Sequence, residues 1–313
     1  MDNLTHSLIG AALGQAGLKR KTGLAMPALI IGANLPDIDA GCVIYGIESL
    51  SMRRGLTHGP IAMVVLPLVL AGTLWWFDRW QAQRGKRPEG RLPVRFGWLL
   101  ALSFTACLTH PLFDWFNNYG IRLLEPFSSE WFYGDTLFII DPWIIAMLGA
   151  GIWLSLRRER AAKAGWTRPA RTALVGLGAY AAMNFVISWG AEIVASGDAP
   201  YADVNVTNPV PLVFWRRDVL WRTKDGWFGT MHCSLRQCRR YLLGNAKTNM
   251  DDPRIAEWAK ADPAARAFLF WSRMPVAELH PDRIVLRDQR YMDPRIGDRF
   301  TVTLRPPAQG TPK

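Results

Sequence analysis

The sequence predicts a mainly α protein, a multi-pass transmembrane helical bundle over residues 1–196 followed by a small C-terminal α+β domain over 197–313. Three observations carry this. Apolar runs near the ~20 residues that cross a bilayer recur up to about residue 195. Short basic loops alternate with acidic or neutral ones between those runs. Beyond residue 196 the pattern changes to short segments of strand type separated by turn residues. The mean hydropathy of +0.03 averages these two regions, and the 50% apolar content is ample for a core.

Residues 3–17 read as a short helix rich in small residues, too short to span, ending at Lys19-Arg20-Lys21. The start lacks a basic n-region and an Ala-x-Ala site and is expected to stay in the mature chain. Spans are expected over 24–47, 59–77, 96–116, 137–156 and 172–195. Basic residues fill 19–21, 78–95 and 157–171, which places those loops in the cytoplasm and 48–58, 114–136 and the tail domain outside. Loop topology thus accounts for the net charge of +11, and no nucleic-acid partner is expected. The expected partners are the lipid bilayer of a bacterial inner membrane and a lipid-linked or anionic substrate.

In the tail, residues 211–223 and 226–235 form a hairpin around Asp225-Gly226, residues 253–271 a helix, and 283–292 and 298–305 two further strands. The last residues, from Arg305, read as a frayed end. Cys233 and Cys238 are close enough to pair in an oxidising compartment, although spacing does not establish the geometry.

Polar residues at membrane depth carry the chemistry. Asp37 and Asp39 lie inside an apolar run, where an ionised carboxylate is costly unless it is paired, metal-bound or wetted. Asn34 and Pro36 favour a helix break there. Three Leu-Thr-His tripeptides hold His6, His58 and His110, and His110 and Asp114 share a helix face at i and i+4. His6 precedes the first basic cluster by about fourteen residues, so a helix lifts it by about 20 Å toward the outer side, where the others also lie. Imidazoles mixed with carboxylates suit Zn²⁺, with Mn²⁺ and Fe²⁺ as poorer fits, and a set of this size suits two ions better than one.

The segments NLTHSLIGAALGQAGL, NLPDID, RRGLTH, LTHPLFDWFNNYGIRLLEPFS and DTLFIIDPW resemble the YdjM-like family of LexA-binding, inner-membrane-associated metal-dependent hydrolases, over roughly residues 1–145. The resemblance implies His6, Asp37, Asp39, His58, His110 and Asp114 as metal-site positions. Through a distant similarity to zinc-dependent phospholipase C and P1-type nucleases, it also implies phosphoester hydrolysis. Arg53 stands where that family carries a histidine, and Gly59 where it carries a serine. The cytoplasmic LexA partner does not suit a site that faces outward and is not carried over.

The reaction expected from these residues is metal-dependent hydrolysis, with Asp37 or Asp39 accepting the proton and Arg53 or Arg54 clamping an anion. Arg53 and Arg54 read equally well as interfacial anchors, and Asp135, Asp141 and Glu192 as helix caps or solvated groups. The rival reading is a non-enzymatic membrane scaffold with a structural metal and a partner-binding tail. A transporter using Asp37 and Asp39 is disfavoured because no paired repeats are present.

Overall fold

The structure, a computed structural model, describes residues 1–198, 202–234, 237–240, 246–292 and 298–307. The chain forms two compact units, one made of residues 1–39, 54–186 and 211–214, the other of 40–53, 187–210 and 215–313. The C-terminal stretch from 308, where fraying was expected, lies outside the described residues.

In the first unit, helix α1 (Asn3–Gln15) begins at Asp2, whose carboxylate accepts from the Leu4 and Thr5 amides and so fills two orphan donors of the first turn. Helix α2 (Ala25–Asn34) gives way to a 3₁₀ segment, Leu35–Glu48, which carries Pro36. The Asn34 amide caps this transition, donating to the Ile30 carbonyl at 2.8 Å and to Ser7 Oγ at 3.0 Å. A short helix α3 (Ser49–Met52) belongs to the second unit; in the first, a 3₁₀ turn (Leu56–His58) leads into α4 (Pro60–Gln83), which starts with proline where no amide is needed. Helices α5 (Phe96–Trp115), α6 (Pro142–Arg160) and α7 (Arg168–Asp198) follow.

Two apolar clusters hold this unit. Ala28, Leu29, Leu70, Ala71, Leu99 and Ala106 join α2, α4 and α5. Ile9, Ala12, Ile144, Leu148, Ala173 and Leu177 join α1, α6 and α7. Small residues bring the axes close: a Cβ on Gly10 would meet the Leu29 carbonyl oxygen at 2.4 Å. The outer faces are apolar instead, with Val65, Val69, Trp76, Val175 and Phe185 all exposed. A polar interior under an apolar surface suits a bilayer, where lipid tails rather than water meet the outside.

Among the described residues, four stretches are long and apolar enough to cross a membrane: Ala25–Met52, Pro60–Gln83, Phe96–Trp115 and Arg168–Gly197. The expected span over 137–156 differs. Its helix begins only at Pro142 and ends in Arg157, Arg158 and Arg160, charges that complement the helix's negative end but remove it from that set.

In the second unit, β1 (Val204–Pro209), β2 (Arg216–Arg222), β3 (Trp227–Ser234) and β4 (Cys238–Arg240) form an antiparallel sheet in sequence order, and β5 (Ala246–Lys247) also pairs with β3. The β2–β3 hairpin turns at Gly226, whose φ of 77° favours glycine. Cys233 and Cys238 face each other across β3 and β4 and form a disulfide. The single helix expected over 253–271 is two, α8 (Pro253–Ala259) and α9 (Pro263–Trp271), because Asp262 and Pro263 start a new helix. A second sheet, β6 (Pro275–Leu279), β7 (Ile284–Asp288) and β8 (Thr301–Leu304), completes the unit. Asp288 and Arg290 are fully buried as an ion pair at 2.9 Å.

Candidate metal centre

Three irregular or terminal segments of the first unit meet at one buried cluster. The 3₁₀ segment after α2 supplies Asp37, the 3₁₀ turn before α4 supplies His58, and the last turns of α5 supply His110 and Asp114. One ligand atom from each of these four lies within 4.8 Å of the other three. His110 Nε2 is 3.6 Å from Asp37 Oδ1 and 3.5 Å from Asp114 Oδ2. His58 Nε2 is 3.9 Å from Asp37 Oδ1 and 3.6 Å from Asp114 Oδ2. A tetrahedral ion with bonds of about 2.0–2.2 Å holds its ligands roughly 3.3–3.6 Å apart, so these spacings suit one small divalent ion.

The same four atoms are buried: Asp37 Oδ1, His58 Nε2 and His110 Nε2 have no hydrogen-bond partner, and Asp114 Oδ2 meets the Arg54 guanidinium as an ion pair. Such polar atoms converging in one place are costly unless something binds them.

Neighbouring groups set the ligand atoms' state. His110 Nδ1 donates to the Ala33 carbonyl at 2.7 Å, which puts a proton on Nδ1 and turns Nε2 toward the carboxylates. Thr57 Oγ1 lies 2.9 Å from Asp39 Oδ2 and 3.0 Å from His58 Nδ1. The hydroxyl has one proton, so donating to the carboxylate frees its lone pair for the imidazole N–H. Both imidazoles thus have Nδ1 engaged and Nε2 facing the cluster.

The remaining expected residues stand against this quartet. His6 lies over His110 with ring centres 3.8 Å apart, and its Nε2 is 3.3 Å from Asp114 Oδ1, the oxygen that the Met1 amino group also meets. Burial pushes the His6 imidazole down to about 3, against the pull of its Asp114 hydrogen bond, so it is neutral. Asp39 Oδ2 accepts from the Arg54 amide at 2.7 Å as well as from Thr57, leaving Oδ1 unspent.

Arg54 is buried rather than offered to solvent. Its Nε lies 3.1 Å from Asp114 Oδ2 and its Nη1 donates to Asn117 Oδ1 at 3.0 Å. Its backbone is left-handed, at φ 54°. Gly55 beside it lies tight against Arg122, whose guanidinium would meet a Cβ there at 2.4 Å. Arg53 ends α3 and belongs to the second unit.

Asp141 caps α6, accepting from the Trp143 and Ile144 amides and from the Tyr180 hydroxyl; Glu192 is exposed on α7. Sequence reasoning missed Thr57 and Asn117. Adjacency to His58, and a spacing of three from Asp114, were the available signals.

The profile of the YdjM inner membrane protein family matches residues 1–191, which include every residue of this cluster. The chain belongs to that family. It is a membrane protein, and the family's description together with the four apolar stretches supports the inner membrane as its place. The uncharacterized protein YfhP of Bacillus subtilis (strain 168) is 29% identical over 164 residues, covering 49% of this chain and 46% of that protein. The chain therefore spans about half the length of this curated relative. No solved structure matches it.

Proposed function

We infer that this YdjM family member is a membrane-integral, metal-dependent hydrolase of a lipid-linked or membrane-adjacent ester, a phosphoester being the best fit. The observation that carries this reading is the convergence of four buried ligand atoms from Asp37, His58, His110 and Asp114, three of them without any hydrogen-bond partner. Two imidazoles and two carboxylates fit Zn²⁺ best among common ions, Mn²⁺ and Fe²⁺ less well. A divalent ion there supplies Lewis acidity and a water acidic enough to ionise near neutral pH.

The chain's own residues take the remaining roles. Asp39, with one oxygen held by Arg54 and Thr57 and the other unspent, is the proton acceptor. Arg54 balances the carboxylate charge that the site gathers. A groove of about 520 Å³ lined by Val64, Leu68, Gly97, Leu100, Ala101 and Phe104 runs between α4, which follows the turn that carries His58, and α5, which carries His110. Hydrocarbon fits such a lining, which supports a lipid-linked substrate. Basic loops at 78–95 and 157–171, which require α6 to cross the bilayer in spite of its charged end, and the Cys233–Cys238 disulfide support an extracytoplasmic C-terminal domain.

The burial of the whole cluster favours one second reading, a structural ion in a scaffold protein whose tail recruits a partner. The test is elemental analysis of purified protein followed by turnover of lipid phosphoesters. About one zinc per chain, with turnover lost in a folded Asp39→Asn variant, supports the enzyme. Metal-free wild type sinks both readings, and bound metal without turnover of any lipid ester leaves the scaffold.

A further inference from the structure

Asn117 lies three residues beyond Asp114, just past the end of α5, and is fully buried. Its Oδ1 accepts from Arg54 Nη1 at 3.0 Å and from the Tyr119 amide at 2.9 Å. Turning the amide over would set its NH₂ against two donors, so the orientation is locked. Its Nδ2 is buried without an acceptor. The guanidinium that holds Asn117 also contacts Asp114 Oδ2, an atom of the metal cluster, at 3.1 Å. A fixed, unspent donor is therefore tied through one arginine to an atom of the metal cluster. Protein interiors rarely leave such a donor empty, and a preset donor acts most strongly on charge that develops on an oxygen.

We propose that Asn117 Nδ2 donates to an anionic oxygen of the substrate, which makes the site selective for esters with a tetrahedral, charged centre, phosphoryl esters above all. This rests on the metal-dependent reading above. A carboxylic ester is neutral when it binds and gains its oxygen charge only in the tetrahedral intermediate, so the donor separates the two classes in binding, which is the step the test reads.

The test uses the full-length protein in detergent, loaded with stoichiometric zinc, and inorganic phosphate as the calorimetric probe. Asn117→Asp keeps an acceptor for Arg54 and the Tyr119 amide but removes the donor. Its new carboxylate excludes phosphate only if phosphate binds at that position, since Arg54 already pairs with it. Asn117→Ala removes the donor without adding charge and decides wherever the two variants differ or the first fails to fold. The expected result is a loss of phosphate affinity of about 10- to 100-fold, with zinc content unchanged. Phosphate affinity within tenfold of wild type in the zinc-loaded variants overturns the proposal, as does zinc-loaded wild type that binds no phosphate, and in both cases the metal reading stands. Wild type that takes up no zinc overturns the metal reading and this proposal with it.

Discussion

The His110 imidazole donates from Nδ1 to the main-chain oxygen of Ala33 across 2.7 Å, and that bond decides which nitrogen faces Asp37 and Asp114. The acceptor is a carbonyl on the last turn of α2, so helix packing itself enforces the tautomer. With histidine labelled in ¹⁵N, His110 is expected to show the Nδ1–H form before metal is added and a shift at Nε2 on titration with zinc or cadmium. A proton found on Nε2 in the metal-free protein would remove His110 from the ligand set.

Losing one ligand removes the ion more cleanly than it disturbs the fold if the replacement keeps its volume. Asp114→Asn and His58→Gln are expected to lower zinc content at least tenfold by elemental analysis. Asp114→Ala is expected to destabilise as well, because Arg54 then loses its buried carboxylate.

Thr57 touches no ligand atom of the cluster, yet its hydroxyl joins Asp39 to His58 Nδ1. Thr57→Val preserves the side chain's shape and deletes this link. Zinc affinity is expected to fall by about 10- to 100-fold, the usual effect of removing a group that orients a ligand. Competition against a fluorescent chelator gives the number, and an unchanged affinity would show that the hydroxyl plays no part.

The α4–α5 groove gives a different readout. Ala101→Phe fills it with a side chain that the helix accommodates. A roughly tenfold lower kcat/KM is expected for a long-chain phospholipid, with little change for a water-soluble short-chain ester. Equal effects on both would place the acyl chain elsewhere.

The tail domain has its own acid limit. Burial works against the Asp288 carboxylate, but the charge and hydrogen bonds of Arg290 and the Ser272 hydroxyl overcome it and hold the carboxyl below its ordinary range. A carboxylate depressed in the folded state contributes stability that is present above its unfolded value of about 3.9 and is lost as pH falls through the folded one. Hydrogen exchange along β7 should therefore quicken below about pH 4. In Arg290→Ala it should quicken even at pH 7, by the equivalent of about 3–5 kcal/mol, since a buried charge is left alone.

The site was legible where its chemistry leaves a local pattern. His110 and Asp114 declare themselves by helical spacing, Asp37 by its cost in an apolar run, and His58 by the repeated Leu-Thr-His. The pattern does not tell which of two nearby carboxylates offers its free oxygen to the ligand atoms. Asp39 differs from Asp37 only because the Arg54 amide and Thr57, fifteen and eighteen residues on, reach its Oδ2. Arg54 reads in sequence equally as an anion clamp and as an interfacial anchor, because nothing local signals its left-handed backbone or the partners that bury it. The break between α8 and α9 was visible in Asp262-Pro263, but the apolar period carries across it and masked the stop.

The close approach at Gly10 bears on how such a site can change. Gly10 follows His6 by one helical turn on the same face of α1, and there the backbone of α2 takes the space a Cβ would need. Two main chains in direct contact have no side chains between them to trim or enlarge, so this hinge-free seam cannot drift by small steps. Altering which ion the family member prefers would have to proceed by exchanging the donor atoms themselves, while the scaffold that presents them stays fixed.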